Sequence, residues 1–252
     1  MDAHLVRFES LIGSQMGLVT RDQLVDGELG VERIRGLVNR RVLRRLRPRV
    51  YGLVGAPDSW ERGLLAAVLS VEGSVASHSA AARLWNFSPG AEDRYEITVE
   101  RTCYVEMRGV GVHRSGTLGD ADVAQRSGIA CTSFERTLCD CTTRLSEYQL
   151  GRVLDDGLRR GIASIQRLKD CSERTESAPG RHMSVVRALL AQRGIGFDPG
   201  GSRSELNVLD VLRRARLPLP VQQFRVRIGS KTFRPDFAWP DHKVFAEYYG
   251  LP

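Results

Sequence analysis

No apolar run among the 252 residues approaches the roughly 18 needed to cross a bilayer. The opening stretch, MDAHLVRFESLIGSQMG, also lacks the basic flank, apolar segment and small-residue cleavage site of a secretory leader. These absences set the expectation of a cytoplasmic protein with no membrane partner. Cysteine is scarce and poorly spaced for chemistry. The five residues at 103, 131, 139, 141 and 171 are an odd set, and the one close pair, Cys139 and Cys141, has a single residue between its members where zinc knuckles use two to four. Neither a disulfide framework nor a cysteine zinc site is indicated, which leaves reduced thiols used as small apolar residues. No Ser/His/Asp or Cys/His set stands out in the middle of the chain, and His78, alone between two serines, reads as a hydrogen-bonded structural histidine.

Acidic residues are almost missing from one segment. Residues 31–49, VERIRGLVNRRVLRRLRPR, hold eight arginines against one glutamate, so the +7 carried there equals the net charge of the whole chain. Apolar spacing around this segment predicts a helix from about Ala3 to Ser14 and a short one opened by a Thr20–Gln23 capping box and ended by Gly27. A third helix carries Val31, Ile34, Leu37 and Val38 on one side. In VLRRLRPRVYGLVG the period changes, with Val42, Leu43, Leu46, Val50 and Leu53 interleaved with arginines and Pro48 near a turn, the pattern of a two-stranded hairpin. Helix, turn, helix and hairpin together predict a winged helix-turn-helix over residues 1–56. Such a module puts one helix in the major groove of double-stranded DNA and lays its wing over phosphates, with no cofactor needed. The expected groove-facing residues are Arg33, Arg35, Asn39 and Arg40. Arg44, Arg45, Arg47 and Arg49 are expected on the backbone, with Arg41 between the two groups. A basic helix that meets only solvent, or a patch for RNA or an acidic protein, stays open as an alternative.

Residues 57–195 read as a mixed α/β domain. Helices are expected from Trp60 to about Val71 and within SVASHSAAARLWNF, then strands at RYEITVE and GVGVHRS. GIACTSFERTLCDCTTRL reads as a strand turning into a helix, and further helices are expected at 147–160, 163–171 and 181–193. Ser77 or Ser79 is a helix cap, Leu84 and Trp85 are core, and Arg136 pairs with Asp140 at i, i+4 spacing.

A basic winged helix running into RPRVYGLVGAPDSWERGLLAAVLS, then ASHSAAARLW, then TSFERTLCD, resembles the AbiEi-type antitoxin family of type IV toxin–antitoxin systems over about residues 5–195. The resemblance implies a transcriptional regulator that binds operator repeats at its own promoter. It also implies a nucleotidyltransferase-like toxin that is counteracted without a stable complex.

After the turn-rich GIGFDPGGSRSE, residues 202–252 predict an amphipathic helix and a three-stranded sheet from QQFRVRI, TFRPDFAW and KVFAEYY. Parity places Phe233, Phe237 and Trp239 on one face of the second strand with Arg234 and Asp236 opposite, and groups Phe245, Glu247 and Tyr249 on the third. A hairpin would bring Asp236 and Glu247 together. This segment resembles the PD-(D/E)XK nuclease superfamily, and in particular very-short-patch-repair-like endonucleases. The resemblance implies catalytic roles for Glu205, Asp236 and Glu247, the last two holding Mg²⁺ as metal ligands. Tyr249 departs from it, standing where the motif takes a lysine or a second acid, and the superfamily's next helix and strand are not represented. The expectation is an incomplete, restriction-endonuclease-like unit that does not cleave DNA. The alternative is a Mg²⁺-dependent endonuclease targeted by the winged helix. On the residues alone, Glu205 also suits a helix first turn, and Asp236 and Glu247 suit an exposed strand edge that could pair in a homodimer on a two-fold operator. The fold class expected for the whole is α/β (α+β).

Overall fold

The structure, a computed structural model, describes residues 4–87, 92–175, 180–193, 203–222, 224–229 and 231–247. A 3-10 turn at Val6–Phe8 leads into α1 (Glu9–Ser14), β1 (Leu18–Thr20), α2 (Arg21–Asp26), α3 (Val31–Asn39), β2 (Leu43–Arg47) and β3 (Val50–Leu53). The capping box forms as expected: Thr20 Oγ1 accepts from the Gln23 amide at 3.1 Å, and Gln23 Oε1 accepts from the Thr20 amide at 2.9 Å. The helix–turn–helix and the hairpin are both present. An unexpected strand, β1, joins the hairpin in an antiparallel sheet of order β1-β3-β2. Phe8, Ile12, Leu24, Ile34, Leu37 and Leu43 fill the core of this unit.

The middle region contains α4 (Trp60–Leu69), β4 (Val75–Ala76), α5 (His78–Leu84), β5 (Tyr95–Glu100), β6 (Val110–Ser115), β7 (Val123–Arg126) and β8 (Ile129–Thr132). Then follow α6 (Phe134–Asp140), α7 (Glu147–Arg159), α8 (Ile165–Thr175) and α9 (Met183–Ala191). Its sheet has the order β6-β5-β4-β8-β7, with β5/β6 and β4/β8 parallel and the other pairs antiparallel. Helices and strands in mixed sheets make this an α/β protein. Leu84 and Trp85 are buried as expected. Ser77 occupies the N-cap position of α5 without a capping side-chain bond, while Ser79 turns to Glu96 instead.

The first two units share an interior. Leu18 and Val50 belong to the same buried cluster as α4 and the five-stranded sheet. Arg62 of α4, 2% exposed, locks the seam: Nε donates to Met16 O at 3.0 Å, Nη2 to Leu53 O at 3.3 Å, and Nη1 reaches Asp58 at 2.6 Å. Gly52 has to be a glycine there, because a Cβ would sit 2.4 Å from Arg62 Nη2.

The C-terminal unit consists of α10 (Arg203–Arg214), β9 (Val221–Gln222), β10 (Val226–Ile228), β11 (Lys231–Phe233), β12 (Phe237–Trp239) and β13 (Val244–Ala246). The expected three strands are cut into five. TFRPDFAW is not one strand: Pro235 removes a ladder donor and holds Arg234 in a restricted backbone, so β11 pairs only with β10 while β12 sits between β13 and β9. Phe233 therefore does not share a face with Phe237. It is 49% exposed, whereas Phe237 is buried against Leu209 of α10.

Candidate nucleic-acid interface

The charged face of α3 follows from its period. At 3.6 residues per turn, burying Ile34 and Leu37 turns Glu32, Gly36 and Asn39 outward, flanked by Arg33, Arg35 and Arg40, and all five side chains are exposed. Gly36 sits at the centre of that face, and a Cβ added there would meet nothing within 4 Å. Arg35 pairs with Glu32 of its own helix at 3.2 Å. Arg33, Arg41 and Arg45 have no acidic partner among the described residues, and Arg41 reaches the surface from a left-handed backbone conformation at φ 58°.

The hairpin arginines divide. Arg44 bonds both oxygens of Asp58 at 2.8 and 2.9 Å, and this hydrogen bond is the main reason the Asp58 carboxyl lies below its usual range. Arg49, at the hairpin turn, pairs with Asp22 of α2. Arg47 turns toward the middle region, where Nη1 donates to Arg108 O at 2.7 Å and the guanidinium lies 5.9 Å from the Tyr95 ring centroid. Of the four residues expected on phosphates, only Arg45 presents its charge without a partner in the described chain. The ion pairs of Arg44 and Arg49 are exposed to solvent.

At the other end, β12 and β13 pair with Phe237 opposite Ala246. Extending that register by one position sets Asp236 opposite Glu247, the juxtaposition expected from strand parity. Asp236 is half-buried and Glu247 exposed. The backbone of Glu205 lies in the first turn of α10, but its side chain and all of Tyr249 fall outside the described residues. Two carboxylates, completed by water and substrate phosphate, are donors of the kind Mg²⁺ takes. Among the described residues no group of three His, Cys, Asp or Glu side chains converges.

Sequence reasoning missed a third charged cluster, in the middle region. Glu96 is buried in β5, where burial by itself would raise its pKa. Hydrogen bonds from His113, Arg144 and Ser79 outweigh this and hold the carboxyl well below the usual range. Arg144 grips both its oxygens at 2.6 Å, and His113 Nε2 lies 3.0 Å from Oε1. His78 stacks on His113 with ring centroids 3.6 Å apart and shares a 3.0 Å hydrogen bond with Ser77, in keeping with a structural histidine. The cysteines are free, and burial pushes the Cys131 and Cys141 thiols up to about 12. These two behave as small apolar side chains.

No family model matches the chain. Two proteins from strains of Mycobacterium tuberculosis, uncharacterized protein MT2308 and uncharacterized protein Rv2248, are each 25% identical to it over 213 residues, covering 80% of this chain and 72% of theirs.

Proposed function

We propose that the chain is a DNA-binding regulator of the AbiEi antitoxin type, in which the N-terminal unit is a winged helix-turn-helix reading an operator near its own gene. The observation that carries this is the exposed face of α3, where Arg33, Arg35, Asn39 and Arg40 surround a glycine opposite the buried Ile34 and Leu37. Such a face lets the helix backbone come close to the groove floor while guanidinium forks reach base edges and phosphates. Arg41 and Arg45 extend the cationic surface, and no cofactor takes part. Arg44, Arg47 and Arg49 contribute less, since each already has a partner in the fold. On this reading the functional counterpart is a nucleotidyltransferase-like toxin opposed through transcription rather than a stable complex, and a two-fold operator would engage a homodimer in the cytoplasm.

The test is fluorescence anisotropy with the DNA upstream of the gene at two salt concentrations. Affinity falls with salt on this reading, each neutralised phosphate adding about 0.9 to the log–log slope. The Arg33→Ala/Arg40→Ala double variant binds at least about tenfold more weakly with a shallower slope. Equal binding by the variant removes the proposal.

The opposed Asp236 and Glu247 support a second reading, descent from a PD-(D/E)XK endonuclease. Plasmid nicking in Mg²⁺ or Mn²⁺ that Asp236→Ala abolishes would establish an active enzyme; intact plasmid under all conditions leaves a binding protein.

A further inference from the structure

Outside the carboxyl ends of the parallel strands β5 and β6 lies a cleft of about 890 Å³, a site favoured for ligands in open α/β sheets and of the size of small-molecule pockets. Arg101 and Tyr104 approach from the segment after β5, and Arg114 from β6. Arg144 follows α6, Arg174 belongs to α8, and Arg181 precedes α9. Among the described residues no Asp or Glu lines it.

The acids that belong to these arginines stand behind them. Glu96 holds Arg144, Asp122 holds Arg174 at 2.7 Å, and Asp140 holds Arg181 at 2.8 and 2.6 Å. Asp122 and Asp140 are shared with the fully buried Arg136. Four guanidinium groups, those of Arg136, Arg144, Arg174 and Arg181, meet these three carboxylates, while Arg101 and Arg114 have no acidic partner among the described residues and add to the surplus of positive charge at the cavity. Each arginine carries five N–H donors, so the bonds to these carboxylates orient the guanidinium while leaving donors for a ligand. Thr98 lines the same space, 1% exposed, and its Oγ1 has no hydrogen-bond partner among the described residues. The hydroxyl lies beneath the cleft floor and is not open to it. At the rim Tyr104 is 85% exposed, and the Arg114 guanidinium lies 5.0 Å from its ring centroid. An aromatic face beside a cation is a stacking surface for a base.

We propose that this cleft binds a nucleoside di- or triphosphate, with its arginines around the phosphates and Tyr104 against the base. The site is separate from α3 and does not depend on the DNA-binding reading.

The test is calorimetric titration of the full chain with ATP, GTP, inorganic pyrophosphate and a short single-stranded RNA. Saturable binding of a nucleotide at one site per chain, displaced by pyrophosphate, is expected. Arg101→Ala/Arg114→Ala lowers nucleotide affinity at least about tenfold with only a small change in the unliganded melting temperature, because neither residue holds a buried carboxylate and the Arg114 bond to Cys103 O is exposed. Tyr104→Ala weakens nucleotide binding but leaves pyrophosphate binding as it was. Arg33→Ala/Arg40→Ala binds nucleotide normally; its failure to do so would move the site to α3 and overturn the proposal. It is also overturned if no nucleotide binds saturably, if the cleft double variant binds as the native chain does, or if only the RNA binds.

Discussion

Arg136 has no exposed side-chain surface, yet it meets Asp140 at 3.1 Å, Asp122 at 3.3 Å, Ser115 Oγ at 3.0 Å and Thr117 O at 3.2 Å. Burial by itself would lower its pKa, but the two carboxylates raise it above the ordinary value. Replacing Arg136 with alanine removes one of the two arginines at each of Asp122 and Asp140, leaving Arg174 and Arg181, so a loss of about 2–4 kcal/mol is expected in urea unfolding, more than for exposed Arg159→Ala. His78 carries a different signature. Burial is the largest influence on it and lowers its pKa to about 4 from 6.5. Between those values the unfolded chain binds the proton and the fold does not, so this contribution is complete above pH 6.5 and declines as the pH falls toward 4. The full effect is roughly 3 kcal/mol. Glu96, held below its ordinary 4.5, adds a loss that begins only under that value. Unfolding measured at pH 7 and pH 5 should show a drop that shrinks in His78→Asn, a residue that tolerates the left-handed backbone at φ 52°. An equal drop in both proteins would assign the acid sensitivity to other groups.

Within α3, Gly36 costs helix stability relative to alanine, and nothing in the surrounding fold needs the space. Gly36→Ala should therefore stabilise the protein by up to about 1 kcal/mol while weakening operator binding, seen as a raised melting temperature beside reduced anisotropy. Unchanged DNA affinity would remove the groove-facing role of this residue. Elements such as α2, α3 and α7 were legible because each has a cap or a sustained 3.6-residue period. β1 was not: Leu18–Thr20 is buried throughout, so it shows no alternation, and Thr20 doubles as the cap of the next helix. Pro235 signals the break between β11 and β12, against the apolar alternation on either side of it. The exposed arginines of α3 could be read from sequence, whereas the inward turn of Arg47 is set by a carbonyl 61 residues away. The cleft was hidden for the same reason, its cations being spread from Arg101 to Arg181 and meeting only through the fold.

Across the whole molecule, Arg62 joins two units that sequence patterning treats as separate. Arg62→Ala removes the side-chain donor to the Met16 carbonyl and leaves Leu53 O with the Ala56 amide at 3.4 Å, at a cost of about 2–4 kcal/mol. Amide exchange should then quicken in β1 and β3 and stay slow in β8 and α6. Uniform acceleration would mean that Arg62 supports global stability rather than the seam. The shared interior sets a limit on how this chain can be dismembered. Were a protease to cut near Gly55, the liberated amino-terminal fragment would bear raw greasy patches at Leu18 and Val50, and its former neighbour would carry the matching scar. Neither half would be a free-standing reader or a clean scaffold, so a single nick in that short connector would be expected to clear both parts from solution together.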